Sequence, residues 1–284
     1  MSPGGKAEAM ARLRCVLATI ETEANRDEGA SRNSPPRRVR LTRVLDQALG
    51  GGLAGDALHE ITPAAPADSA AAMGFALALA AQFLARRSSS ALVIGESFAA
   101  EETGALYGPG LVGHGLSLSR LVFVRGPDAA AAFWAMEEAL KSGAPAAVIG
   151  EIWSLKAYGL AVSRRLLLAA RKGRTPALLV LARAYDQADR LSSAAETRFE
   201  IAAAPSARLP ASGGKDLPGP FACTARLVKA RPAFAREGVS QAVDPERRIR
   251  LEWRREGRTF DDPTLSFSLD AASGDRPRAA AQSR

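Results

Sequence analysis

The chain has 284 residues, 47% of them hydrophobic, with a formal net charge of +8 and a pI near 10.1. That length and apolar content suffice for one or two domains with a substantial core; the charge points to an acidic partner, nucleic acid or protein, or else only to an Arg-rich composition. No run of about 18 apolar residues is visible, so no membrane span is expected; no basic-then-apolar leader is seen, and Cys15 and Cys223 form no CxxC pair, so two free thiols in a reducing cytoplasm are expected.

Residues 6–23 have Met10, Leu13, Leu17 and Ile20 at helical spacing. They predict an amphipathic helix that either docks on a partner through Leu13, Leu17 and Ile20 or packs back on its own domain. A polar linker follows, with Pro35-Pro36 and the cations Arg32, Arg37, Arg38, Arg40 and Arg43, of which Arg37, Arg38 and Arg40 are candidate DNA or partner contacts. The glycine-rich turn Gly50-Gly51-Gly52 then leads into a short apolar strand over 57–61, a loop over 62–69 and an Ala- and Leu-rich helix over 70–87.

Strand, loop and helix are the setting of a Walker A motif, in which glycines let backbone N–H groups wrap the phosphates, a Lys neutralises them and a Ser/Thr holds Mg²⁺. The loop here, from Thr62 to Ser69, has no glycine, has Pro63 and Pro66, which remove donors, and has Asp68 at the lysine position. Ser69 alone is retained. The loop reads as a nucleotide site that has lost its nucleotide, and Asp68 as a cap for the following helix. No cofactor is expected; ATP with Mg²⁺ is the alternative.

Continuous apolar strands at 91–96, 121–124, 146–151 and 177–181 alternate with helical stretches within 101–112 and over 127–141 and 154–172. Pro127 suits the first turn of its helix. This is the pattern of a parallel sheet covered on both faces. Residues 198–202, 223–231 and 248–253 alternate with period two and predict antiparallel strands, each with one polar face. The fold class expected is α/β: a parallel central sheet flanked by helices and extended by C-terminal antiparallel strands. The organisation expected is an N-terminal helix (1–26), a basic linker (27–43), a core (44–206), a loop (207–220), the antiparallel strands (221–265) and a disordered tail (266–284).

Basic residues crowd the late strands, and Arg226, Lys229, Arg231, Arg248 and Arg250 are candidate phosphate or partner contacts, or an edge that blocks aggregation. His59 and His114 have no second ligand at metal spacing, so no metal site is expected.

Five parallel strands, a loop after the first and antiparallel strands at the end resemble the RecA-like ATPase core. In that resemblance Glu96 lies where the catalytic glutamate polarises water, Tyr107 where a tyrosine meets adenine, and Glu151 where the Walker B strand ends in its Mg²⁺ ligand. Each also has a plain alternative: a polar strand end for Glu96 and Glu151, and packing beneath Gly108-Pro109-Gly110 for Tyr107. Trp153 lies where such proteins place a DNA-facing loop and is a candidate for stacking on a base or anchoring a protein, or for core packing. The segment 182–197 is short and glycine-free, unlike the DNA loop of RecA.

More narrowly, residues 50–54, 104–111, 134–140, 148–153, 163–166, 226–229 and 251–253 resemble, in order and spacing, the ImuA family of bacterial SOS mutagenesis cassettes. The resemblance implies a cytoplasmic, nucleoid-associated accessory protein that is not an enzyme. Its partners would be ImuB, an inactive Y-family polymerase relative, an error-prone replicative-type polymerase, DNA directly or through them, and a second copy of itself. Two other functions remain open: a divergent ATPase using Ser69, Glu96 and Glu151 with Lys172 or Arg174 from a neighbour, and a SulA-like division inhibitor.

Overall fold

A computed structural model describes residues 3–27, 38–209, 217–231 and 246–261. Arg37 and the tail 266–284 lie outside them. The helices are α1 (Pro3–Asp27), α2 (Arg43–Ala48), α3 (Ser69–Leu84), α4 (Ser97–Thr103), α5 (Gly108–Gly113), α6 (Ala129–Ser142) and α7 (Leu160–Gly173). The strands are β1 (Leu58–Pro63), β2 (Ala91–Glu96), β3 (Leu121–Gly126), β4 (Ala147–Ile152), β5 (Ala177–Leu181), β6 (Thr197–Ala203), β7 (Arg208–Leu209), β8 (Leu217–Pro218), β9 (Ala222–Ala230), β10 (Arg248–Arg254) and β11 (Thr259–Asp261).

Nine strands form one sheet in the order β11-β10-β9-β6-β1-β5-β4-β2-β3, and β7 pairs separately with β8. Strands β1 to β5 are parallel, and β9, β10 and β11 extend the sheet antiparallel. The α/β class expected from the sequence is the class observed. One strand direction differs. β6 runs parallel to β1, pairing His59 with Thr197 and Ile61 with Phe199, and the antiparallel direction begins at β9. Its period-two pattern is not a solvent-facing edge: Arg198 and Glu200 are buried, so alternation here marks buried ion pairs.

α3 lies on one face of the sheet. Phe75 from α3 meets Phe199 of β6 and Phe260 of β11, ring centroids 5.4 Å apart in both pairs. The segment Pro66–Leu84 is long and apolar enough to cross a membrane by length and composition, with mean hydropathy 1.4, although Asp68, Ser69 and Gln82 interrupt its apolar run. Every residue from Ala71 to Leu84 is buried, and its all-round apolar character is that of a helix enclosed in a core.

α6, α7 and α1 cover the other face. Asp128 caps α6 by accepting from the Ala131 amide at 2.8 Å, and Gly143 ends it at φ +71°. Pro127 therefore precedes the cap instead of sitting in the first turn. Gly159 ends the stretch before α7, which starts later than the 154 boundary expected. Leu13, Leu17 and Ile20 are buried in this layer with α6 side chains such as Phe133 and Met136. The N-terminal helix thus packs back on its own domain, and these three side chains do not offer a docking face.

The two layers meet the sheet closely. A Cβ on Gly150 in β4 would lie 2.3 Å from Met136 Sδ and 3.2 Å from Leu179 Cδ1. Met136 and Leu179 are fully buried, so neither can swing out. Gly150→Ala is expected to destabilise the protein by about 1–3 kcal/mol through overpacking, read as a lower urea midpoint; an unchanged midpoint would show that α6 shifts freely.

Candidate functional site

The site lies at the carboxyl ends of β1, β2, β4 and β5, where open α/β sheets bind ligands. Its loop has been turned to internal bonding. Thr62 Oγ1 is buried and donates to Phe199 O at 3.2 Å. Ser69 Oγ donates to Pro66 O at 3.0 Å and to Ala182 O at 3.3 Å. Asp68 does not cap α3; its carboxylate accepts from the Ala65 amide at 3.1 Å and the Ala203 amide at 2.8 Å, tying the loop to the end of β6. The expected capping role is therefore corrected to that of a loop-to-strand tie.

Glu96 ends β2 and is 2% exposed. Its Oε2 accepts from the backbone amides of Trp153 at 2.6 Å and Ser154 at 3.0 Å, across the β2–β4 junction. Two charge-assisted bonds fix this carboxylate as a clamp on the turn after β4. Glu151, opposite Gly95 in the register, accepts from Trp153 Nε1 at 3.2 Å. Burial raises its pKa above the usual carboxylate range, against the lowering by the Trp153 bond and Arg125, and nearby Glu96 raises it further.

Trp153 is half-buried. Phe98 from α4 meets it edge-on at 6.4 Å and 79°, and the Arg183 guanidinium stands 5.3 Å from its ring centroid. Phe98 is 37% exposed. Sequence reasoning missed both neighbours: they lie in different elements, and their one signal is that each closely follows a strand end. The structure brings Glu96, Glu151 and Trp153 together. Tyr107 stands apart at the start of α5, 74% exposed, so it is not packed beneath the following turn.

The late basic residues are largely committed inside the chain. Arg226 is buried and bonds Glu200 at 2.8 Å and Asp189 at 2.9 Å. These hydrogen bonds, Glu200 first, raise the Arg226 pKa, and the same bonds lower those of Glu200 and Asp189. Arg248 pairs with Glu200 at 2.8 Å, Lys229 Nζ donates to Ser193 O at 2.7 Å and Arg250 donates to Pro205 O. Arg226 is thus corrected from a phosphate-facing cation to part of a buried ion pair, while Arg231 is exposed. In the linker Arg38 clamps the glycine turn, donating to Leu49 O at 3.1 Å and Gly52 O at 2.7 Å, and Arg40 is exposed. Among the described residues no cluster of three or more His, Cys, Asp or Glu can hold a metal.

No family model and no curated protein matches the chain. Solved structures do. The RadB recombinase is 16% identical, with 76% of this chain and 96% of that one covered at a TM-score of 0.45. SulA from Pseudomonas aeruginosa is 18% identical, with 44% of this chain and 96% of that one covered at a TM-score of 0.35. The strand order is the stronger statement: a loop strand separated from the Glu151 strand by β5, with β2 and β3 beyond and the antiparallel strands on the far side. By that architecture the chain is an α/β protein whose mostly parallel sheet is extended by antiparallel strands.

Proposed function

We propose that this chain is a non-catalytic accessory protein of damage-induced translesion DNA synthesis, of the ImuA type. It would bridge an ImuB-like inactive polymerase relative, an error-prone polymerase and DNA, in the nucleoid-associated cytoplasm. The observation that carries the non-catalytic part is the loop. The Ser69 hydroxyl and Glu96 carboxylate, which a magnesium triphosphate and its attacking water would need, serve backbone groups of the chain itself, and so does the Asp68 carboxylate. A triphosphate would also meet the charge of Asp68 where a lysine is required. A RecA-like core with that chemistry removed is a binding scaffold, and the ordered resemblance of seven segments supports the mutagenesis role.

Two measurements test this. Saturating Mg-ATP is expected to leave Tm unchanged, because a ligand raises stability only by binding the native state; a clear rise would favour the divergent ATPase. The full chain is expected to co-purify with an ImuB-type protein in low salt. Deleting 221–284 is unsuitable for mapping the contact, since Cys223, Leu251 and Trp253 are core. Removing 262–284 and reversing Arg231 are the informative variants. No retention of the full chain would overturn the adaptor role.

A further inference from the structure

α7 has an outer face that the fold leaves uncovered. Ser163, Leu166, Ala169 and Ala170 are buried. Leu160, Ala161, Arg164, Arg165, Leu168, Arg171 and Lys172 are exposed. At about 100° per residue the exposed set fills an arc of about 140° that the buried set does not enter. Leu160 and Leu168 are 56% and 55% exposed. They bracket Arg164, four residues from each, and Arg171 and Lys172 follow Leu168 by three and four residues, so both lie beside that leucine.

The helix has four cations and no acid. Arg165 pairs with Glu137 of α6 at 3.1 Å, and Arg171 acts on Glu196. Arg164 and Lys172 make no ion pair among the described residues. Two outward leucines stand among these cations, and a surface of phosphates alone would leave both without apolar contact. A surface that satisfies both is apolar in its centre and acidic around it.

We propose that the outer face of α7 docks an acidic amphipathic helix of a partner protein. Its apolar side chains rest on Leu160 and Leu168, and its carboxylates face Arg164 and Lys172. The inference does not depend on that partner being a polymerase relative.

The probe is a fluorescent synthetic helix with leucines on one face and glutamates elsewhere, read by anisotropy against the full chain. Its control is a permuted peptide of the same composition without an apolar face. The expected result is binding to the first peptide only, weakened about tenfold or more both in Leu160→Ser/Leu168→Ser and in Arg164→Glu/Lys172→Glu, and weakened by salt. All four side chains are exposed, so both variants are expected to keep the wild-type Tm, which is measured alongside. Equal binding of the two peptides, no binding, or a loss confined to one variant would overturn the proposal. Loss in the charge variant alone, with single-stranded DNA competing, would make α7 a phosphate-binding surface instead.

Discussion

Glu60→Gln is expected to cost about 3–5 kcal/mol, because it leaves a buried guanidinium without its counter-charge. Glu60 in β1 is fully buried and accepts from Arg198 Nε of β6 at 2.6 Å and from the Tyr158 hydroxyl. Arg198 also donates to Ala188 O at 2.5 Å, Leu191 O at 2.8 Å and Ser193 Oγ at 3.0 Å. Residues 182–196 connect two parallel strands that flank β1, where a helix usually makes the crossover, and this ion pair takes the place of helix packing in holding the segment down. Arg198→Met should cost a similar amount. The double variant should cost less than the sum, with a coupling of about 2 kcal/mol or more in a urea double-mutant cycle. Additive single effects would show that the pair does not act as a unit. The crossover also includes Arg183, which stands over Trp153, and Asp189, which holds Arg226. Arg198→Met should therefore speed amide exchange across 183–193 and loosen one wall of the candidate site.

This network also explains which parts of the structure could be read from sequence. β2, β4 and β5 were legible because Ala91-Leu92-Val93-Ile94, Val148-Ile149 and Leu178-Leu179-Val180 are short apolar runs set between helical stretches, the pattern of strands buried on both faces. The lack of glycine and lysine in the loop over 62–69 was legible because a residue type is either present in a loop or not. The direction of β6 was hidden: Arg198 and Glu200 look like an outward polar face until Glu60 and Arg226 are seen opposite them. The same limit hid the bond from Asp68 to Ala203 and the Phe98–Trp153–Arg183 contact, since each joins residues from different elements. The fate of Leu13, Leu17 and Ile20 was undecided for a related reason. An amphipathic stripe states that a face will be covered, but not by what, and here it is covered by the α6 layer.

His59 provides the sharpest test of the core that supports the site. It is fully buried, with Nδ1 2.8 Å from Thr197 Oγ1 and Nε2 2.8 Å from Ala54 O. Burial pushes its pKa down to about 4, against the raising effect of the Ala54 bond, and Arg38 lowers it further. The unfolded chain binds a proton near pH 6.5, the folded chain only near 4, so the unfolded state holds more protons in between. Stability contributed by neutral His59 is complete above about 6.5 and is lost as pH falls toward 4, at up to about 1.4 kcal/mol per pH unit and about 3 kcal/mol in all. The carboxylates that also titrate near pH 4 make the variant comparison necessary. In His59→Gln, which keeps one amide donor and one acceptor but cannot titrate, the urea-derived stability between pH 6.5 and 4.5 should be flatter than in the wild type by that slope. Its absolute stability at pH 7 is expected to be lower, because the amide does not reproduce both ring contacts. Parallel pH profiles for the two proteins would mean that His59 keeps its ordinary pKa, and hence that water reaches the junction between β1, β6 and the glycine turn.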